Sequence, residues 1–170
     1  MRVIGVDPGT RLLGWGVVER VGTRQWHVAH GVIQPSLDGT FADRLVCIDD
    51  ELAQVIAEQQ PDTGAVESIF FSKDAQSAAK LGHARGVVLL RLRRAGLEVH
   101  EYAPAQIKRS VVGHGRADKQ QVARVVAAAL GLEAPPRSDA ADALAVALTC
   151  LSGLDFALAM ARAGNPPKRG

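Results

Sequence analysis

Four carboxylates stand in surroundings that do not suit a carboxylate. Asp7 ends the apolar run Val3-Ile4-Gly5-Val6, and Glu67 ends the short run Ala65-Val66. Asp139 and Asp142 lie in "SDAADALAVAL", where nearly every neighbour is apolar. An ionised carboxylate among apolar groups is costly to bury unless a positive charge meets it. At i and i+3 of a helix, Asp139 and Asp142 would have Cβ atoms about 5–6 Å apart, and their charges repel. The helix N-terminus offsets part of that repulsion, and a divalent cation offsets more. Oxygen donors without thiolates or clustered histidines suit Mg²⁺ or Mn²⁺. Two such ions about 3.5–4 Å apart can activate a water and stabilise the leaving oxygen of a phosphodiester.

Each acid also has a plainer reading. Asp7, just before Pro8-Gly9, can be a solvated turn residue, and Glu67 a solvated strand end. Asp139 and Asp142 can be N-terminal helix caps, a common use of acidic side chains. The metal reading requires two things of the fold. The first and fourth strands must be neighbours, and the last helix must start over the same cleft.

The elements that would position these acids follow from periodicity and punctuation. Val3 to Val6 read as a short buried strand closed by Pro8-Gly9. "LLGWGVVER" and "QWHVAHGVI" read as two further strands joined by a hairpin at Val21 to Arg24. Gly14 and Gly16 weaken the second strand unless another element approaches its backbone closely or they mark a bulge. Phe41, Leu45, Ile48, Leu52 and Ile56 then fall on one helical face, with Thr40 and Asp43 as a capping box and Pro61 as the stop. "TGAVES" is the fourth strand, and a helix follows from about Lys73 to Arg94. "LEVHEY" is the fifth strand. Pro104 starts a short helix, Asp118 starts another, and "SDAADALAVALTCL" forms the last after Pro135-Pro136. Three consecutive strands followed by alternating strand and helix predict an α/β fold, a mixed five-stranded sheet flanked by helices.

Basic residues surround the acids. Lys73, Lys80, His83, Arg85, Arg91, Arg93 and Arg94 populate the second helix and fit a nucleic-acid substrate, although solvated helices carry Arg and Lys anyway, the reading adopted for Arg91 to Arg94. Lys108, Arg116 and Lys119 sit beside a Gly-containing loop or a helix start, where phosphate can approach. Phe70 and Phe71 follow Glu67 directly. A Phe pair is usually core, but one exposed ring there can stack on an unpaired base.

The chain has 170 residues, 47% apolar and 22% charged, with a net charge of +2. This suits one soluble domain over residues 1–155 and is compatible with an anionic partner. The tail, 156–170, ends in "AGNPPKRG" and is expected to be disordered. Cys47 and Cys150 form no CxxC pair, which argues for a reducing, cytoplasmic setting and against structural zinc. No basic segment precedes an apolar stretch as in a signal peptide, and no unbroken apolar run is expected to span a membrane.

"GVDPGT", "AVESIFF", "KLGHARG", "YAPAQIKRSVVGHGRADK" and "DAADALAVAL" together resemble the RuvC family of bacterial Holliday-junction resolvases, in order from residue 1 to about 151. The resemblance implies a ribonuclease H-like fold, a homodimer, and Mg²⁺-dependent paired nicking of four-way junction DNA during recombination and repair. It implies two Mg²⁺ ions per site, replaceable by Mn²⁺, and the RuvA and RuvB branch-migration proteins as partners. The family's carboxylates fall on Asp7, Glu67, Asp139 and Asp142, its junction-centre aromatic on Phe70, and its basic residues near the scissile phosphate on Lys108 and Lys119. Arg116 and Lys73 are added as DNA-binding candidates. The Lys73–Arg94 helix, through Ala78, Leu81, Gly82, Val88 and Leu89, is a candidate dimer face, set against burial of the same stripe within one monomer.

Three other readings compete. A related RNA-processing nuclease shares the Asp-x-Gly turn on a shorter chain. An actin-like ATPase or sugar kinase needs two such lobes, which 170 residues do not hold. An inert junction-binding module gains nothing from clustered negative charge facing DNA.

Overall fold

The computed structural model describes residues 1–68 and 74–163. The first three strands, β1 (Arg2–Asp7), β2 (Leu13–Val21) and β3 (Arg24–Ile33), form an antiparallel meander. The helix α1 (Phe41–Gln59) leads to β4 (Thr63–Glu67), and α2 (Ala75–Arg94) leads to β5 (Glu98–Tyr102). Three helices complete the chain: α3 (Pro104–Val112), α4 (Lys119–Leu130) and α5 (Ser138–Ala163). The sheet order is β3-β2-β1-β4-β5, with β1, β4 and β5 parallel. The expected mixed five-stranded sheet is present, and β1 lies beside β4.

Strand alternation sends successive side chains to opposite faces. Ile4, Val6, Val17 and Val66 meet Ile48 and Leu52 of α1 and Val88 and Leu92 of α2. Val3, Val18 and Ala65 meet Val122 and Val126 of α4 and the start-to-middle of α5. Local signals hold as read. Thr40 and Asp43 cap α1 reciprocally, Pro104 opens α3, and Asp118 caps α4 with Gln121. The second helix starts at Ala75, two residues later than expected, because the Asp74 side chain accepts from the backbone N–H groups of Gln76 and Ser77.

The last helix departs from expectation in two ways. It continues to Ala163, well into the segment expected to be disordered. Leu154 still packs on the core, and Asp155 pairs with Arg20 of β2, so the helix retains partners beyond Leu151. In addition, Ser138–Ala157 is long and apolar enough to cross a bilayer, contrary to the expectation of no such stretch. Of that stretch, 61% is buried inside the fold. A helix apolar on all sides is what the centre of a core requires.

Close approach of α5 explains the two glycines of β2. A Cβ at Gly14 would collide with the Asp139 carbonyl, and one at Gly16 with the Leu144 side chain. Gly14 is also the residue paired with Asp7 across the β1–β2 ladder. The first turn of α5 therefore rests on the sheet right beside the end of β1.

Candidate active site

Asp7 and Glu67 reach the same face by alternation. Val3 of β1 and Ala65 of β4 pack on the α5 side, and each acid follows its strand's residue at an even spacing. The parallel register sets Val6 against Val66, so the two acids end adjacent strands side by side. Beyond them, Ser68 N–H donates to the Tyr102 carbonyl at 2.9 Å, which carries the β4–β5 pairing one residue further.

The two carboxyls share a hydrogen bond. Burial, then the neighbouring Glu67 and Asp142, push the Asp7 carboxyl up to about 8, against a partial counter-effect from Lys119. Glu67 moves up as well, mainly through burial, with the hydrogen bond from Asp7 opposing the shift. Both carboxyls therefore hold a proton more readily than an ordinary carboxylate. Crowded acids that retain a proton form a site that gains by exchanging it for a cation.

Lys119, the first residue of α4, places Nζ 2.8 Å from the Asp142 carboxylate. Its side chain is 70% exposed, that of Asp142 only 20%. The Asp142 contact raises the Lys119 pKa, and the charges of Asp7 and Asp139 add to this. Among the described residues, neither Asp139 nor Asp142 accepts a backbone N–H of α5, so the geometry does not show the capping alternative. Lys108 of α3 stands near enough to Glu67 to favour its charged form.

The structure therefore brings Asp7, Glu67, Asp142 and Lys119 together, with Asp139 and Lys108 at the margin. Arg116 is exposed in the loop between α3 and α4, and among the described residues no hydrogen bond or ion pair ties it to the carboxylates. Phe70 and Lys73 lie outside the described residues.

Sequence reasoning places Arg85 among the basic residues of the second helix and gives it no structural role. Its side chain is only 17% exposed, pairs with Glu101 of β5, and directs Nε toward the Glu67 carbonyl at 3.4 Å. It ties α2 to the ends of both β4 and β5. The available signal was its position next to Ala84 on the buried Ala84-Val88-Leu92 stripe, where a solvated arginine is not expected.

Among the described residues no three of these acids converge closely enough to hold an ion as they stand; what Asp7, Glu67 and Asp142 offer is oxygen donors alone, the type that suits Mg²⁺ or Mn²⁺ better than zinc or copper. The upward shifts of Asp7 and Glu67 fit the same conclusion, since a divalent ion would relieve the same crowding of negative charge.

Comparison with known proteins agrees in sequence and in fold. The sequence matches the family described as crossover junction endodeoxyribonuclease RuvC over residues 3–150. A crossover junction endodeoxyribonuclease RuvC of Sorangium cellulosum (strain So ce56) is 64% identical over 169 residues, covering 99% of this chain and 94% of that protein. Its counterpart in Caulobacter sp. (strain K31) is 48% identical over 149 residues, covering 88% of each. The structure of T. thermophilus RuvC in complex with Holliday junction substrate is similar with a TM-score of 0.87 and 37% identity, covering 92% of this chain and 96% of that one. The fold is ribonuclease H-like, as expected. Similarity at this level, running from β1 into α5, makes this chain a member of the RuvC family of crossover junction endodeoxyribonucleases.

Proposed function

We propose that the chain resolves four-way DNA junctions by hydrolysing one phosphodiester in each of two equivalent strands. The observation that carries this reading is the cluster at the ends of β1 and β4, where Asp7 and Glu67 end adjacent strands close to Asp142 and its partner Lys119. Asp7, Glu67, Asp142 and Asp139 would hold two Mg²⁺ ions, which Mn²⁺ can replace. When bound, such ions supply charge stabilisation to both the attacking and the leaving oxygen.

The remaining work falls to the chain's own groups. Lys119 neutralises Asp142 and, with its exposed ammonium, can meet a phosphate at the rim of the cluster. Lys108 does the same from α3, and Arg116 extends the basic rim along the following loop. Arg85 fixes the backbone at Glu67, immediately before the segment that carries Phe70 and Lys73. Phe70 is assigned to base stacking at the junction centre by resemblance to the family.

Two strands related by symmetry call for two such clusters, and a two-fold dimer provides them. The outward face of α2 supports this, through Gly82 of the expected residues but not through Val88 or Leu89. Val88 is buried against α1, and Leu89 packs on the same core. Ala79, Gly82, His83, Gly86, Val87 and Leu90 instead line an open groove of about 520 Å³ against Leu45 of α1. Val46 and Leu90, 59% and 51% exposed, extend the apolar surface beside it.

The direct test is cleavage of a synthetic four-way DNA junction, with nicks mapped on all four strands. Symmetric nicks in two strands that require Mg²⁺ are expected. Cleavage that persists in a chelator, or equal cleavage of a structured RNA, overturns the reading.

A further inference from the structure

The sequence holds five histidines, and two of them meet on β3, the edge strand farthest from the β4–β5 side of the sheet. Residues three apart in regular extended chain point to opposite faces. Here the ladder slips: Val17 faces Ala29 while Val18 faces His27, leaving Val28 as an extra residue. This β-bulge brings His27 and His30 to one face, opposite Val18 and Gly16 respectively. Nε2 of His27 lies 2.7 Å from Nδ1 of His30, with the rings tilted by 58°. His30 is exposed and His27 half-buried. The face is that of α5, but the pair sits at the sheet's rim rather than beneath the helix.

We propose that His27 and His30 form a two-imidazole site for a first-row transition-metal ion of the Zn²⁺, Ni²⁺ or Cu²⁺ type, separate from the carboxylate cluster. Bonds of about 2.0–2.1 Å to one ion place two nitrogens about 2.9–3.4 Å apart for angles from square to tetrahedral. The rings need to open by only a few tenths of an ångström to reach that range. Each ring must present a lone pair. The proton now lying between the facing nitrogens moves to the outer nitrogen of its own ring, so two neutral imidazoles bind without net loss of a proton. Burial and the adjacent His30 lower the pKa of His27, which favours the neutral, ligating form. Water fills the remaining positions, since β3 is open to solvent on its free edge.

Ligand chemistry separates the two sites. Imidazole prefers zinc, nickel and copper, whereas carboxylate clusters prefer magnesium and manganese. The molecule would therefore take a hard ion at one end of β1 and a borderline ion on the far strand, each with little competition from the other.

The test is titration of the full chain with Cu²⁺ in a large excess of Mg²⁺, read by electron paramagnetic resonance that counts coordinated nitrogens. Wild-type protein is expected to bind one Cu²⁺ through two imidazole nitrogens. His27→Gln and His30→Gln should each weaken binding by about tenfold or more and leave no two-nitrogen signal, while His83→Gln changes neither. Exposed His30 can be replaced without disturbing the core, so that variant should keep the wild-type melting temperature and Mg²⁺-dependent nicking. Affinity unchanged in either variant, or no binding below millimolar Cu²⁺, overturns the proposal and leaves the pair a hydrogen bond within the strand.

Discussion

At the residue scale, the chemistry is concentrated in the adjacent carboxyls of Asp7 and Glu67, whose burial and crowding raise both pKa values. Asp7 has an ordinary value of 3.8 and is raised to about 8 in the folded chain, chiefly by burial. The folded state therefore binds that proton more tightly than the unfolded state. Stability from this group is fully present below 3.8 and is lost as pH rises toward 8. In chelator, the melting temperature of the wild-type protein should fall between pH 5 and pH 8, and Asp7→Asn should flatten that slope. About 1 kcal/mol moves the midpoint of a domain this size by roughly 2–4 °C, so the slope is readable by calorimetry. The same variant should lose nicking while keeping junction affinity, because phosphate contacts come from Lys and Arg. Cleavage near the wild-type rate in Asp7→Asn removes the residue from the mechanism. Asp142→Asn and Asp139→Asn separate capping from catalysis, because Asn caps a helix about as well as Asp. The expected outcome is a large loss of nicking with an unchanged or higher melting temperature, more severe at Asp142, which contacts Lys119.

At the scale of elements, the decisive contact is the first turn of α5 on β2. Gly14→Ala places a methyl against the Asp139 carbonyl, where backbone and not a flexible side chain must yield. Overpacking of this kind costs about 1–3 kcal/mol. Because the displaced turn carries Asp139 and Asp142, nicking should fall much further than stability accounts for. Melting curves together with single-turnover cleavage check this, and equal activity at reduced stability would show that the turn need not hold its place. Gly86 on α2 is the contrast. Nothing lies within 4 Å of a Cβ built there, so Gly86→Ala should raise helix stability by about 1 kcal/mol.

At the scale of the whole molecule, the cluster lies on one side of the sheet and the apolar groove of α1 and α2 on the other. α1 and α2 are held together by their shared core and by Arg91, whose Nε donates to Asp49 at 2.7 Å. This leaves the outer α2 stripe free without loosening the monomer. Leu90→Glu puts a charge into that stripe at a half-exposed position, where it should not disturb folding. Sedimentation should shift from dimer toward monomer, and junction cleavage should change from paired to single nicks. A dimer of undiminished strength in Leu90→Glu moves the self-association surface elsewhere.

The local rules of the chain were enough for much of this. Alternating apolar residues, the Thr40–Asp43 cap, Asp118 as a helix start, and Pro61 and Pro104 act on nearest neighbours, so the elements other than α5 could be read within about two residues. The acids were legible for a related reason: Asp7, Glu67, Asp139 and Asp142 contradict the apolar stretches that carry them. Tertiary structure alone decided that β1 lies beside β4, which turns two separate strand ends into one pair of neighbouring carboxyls. It also decided the extent of α5, since the partners of Leu154 and Asp155 come from elements far away in sequence. Which stripe of α2 faces inward depended on the position of α1, and the role of Arg85 on the ends of β4 and β5. The bulge at Val28 that joins His27 to His30 exists only in the register between two strands. Periodicity fixes which side chains share a face, but the packing of whole faces sets which faces meet.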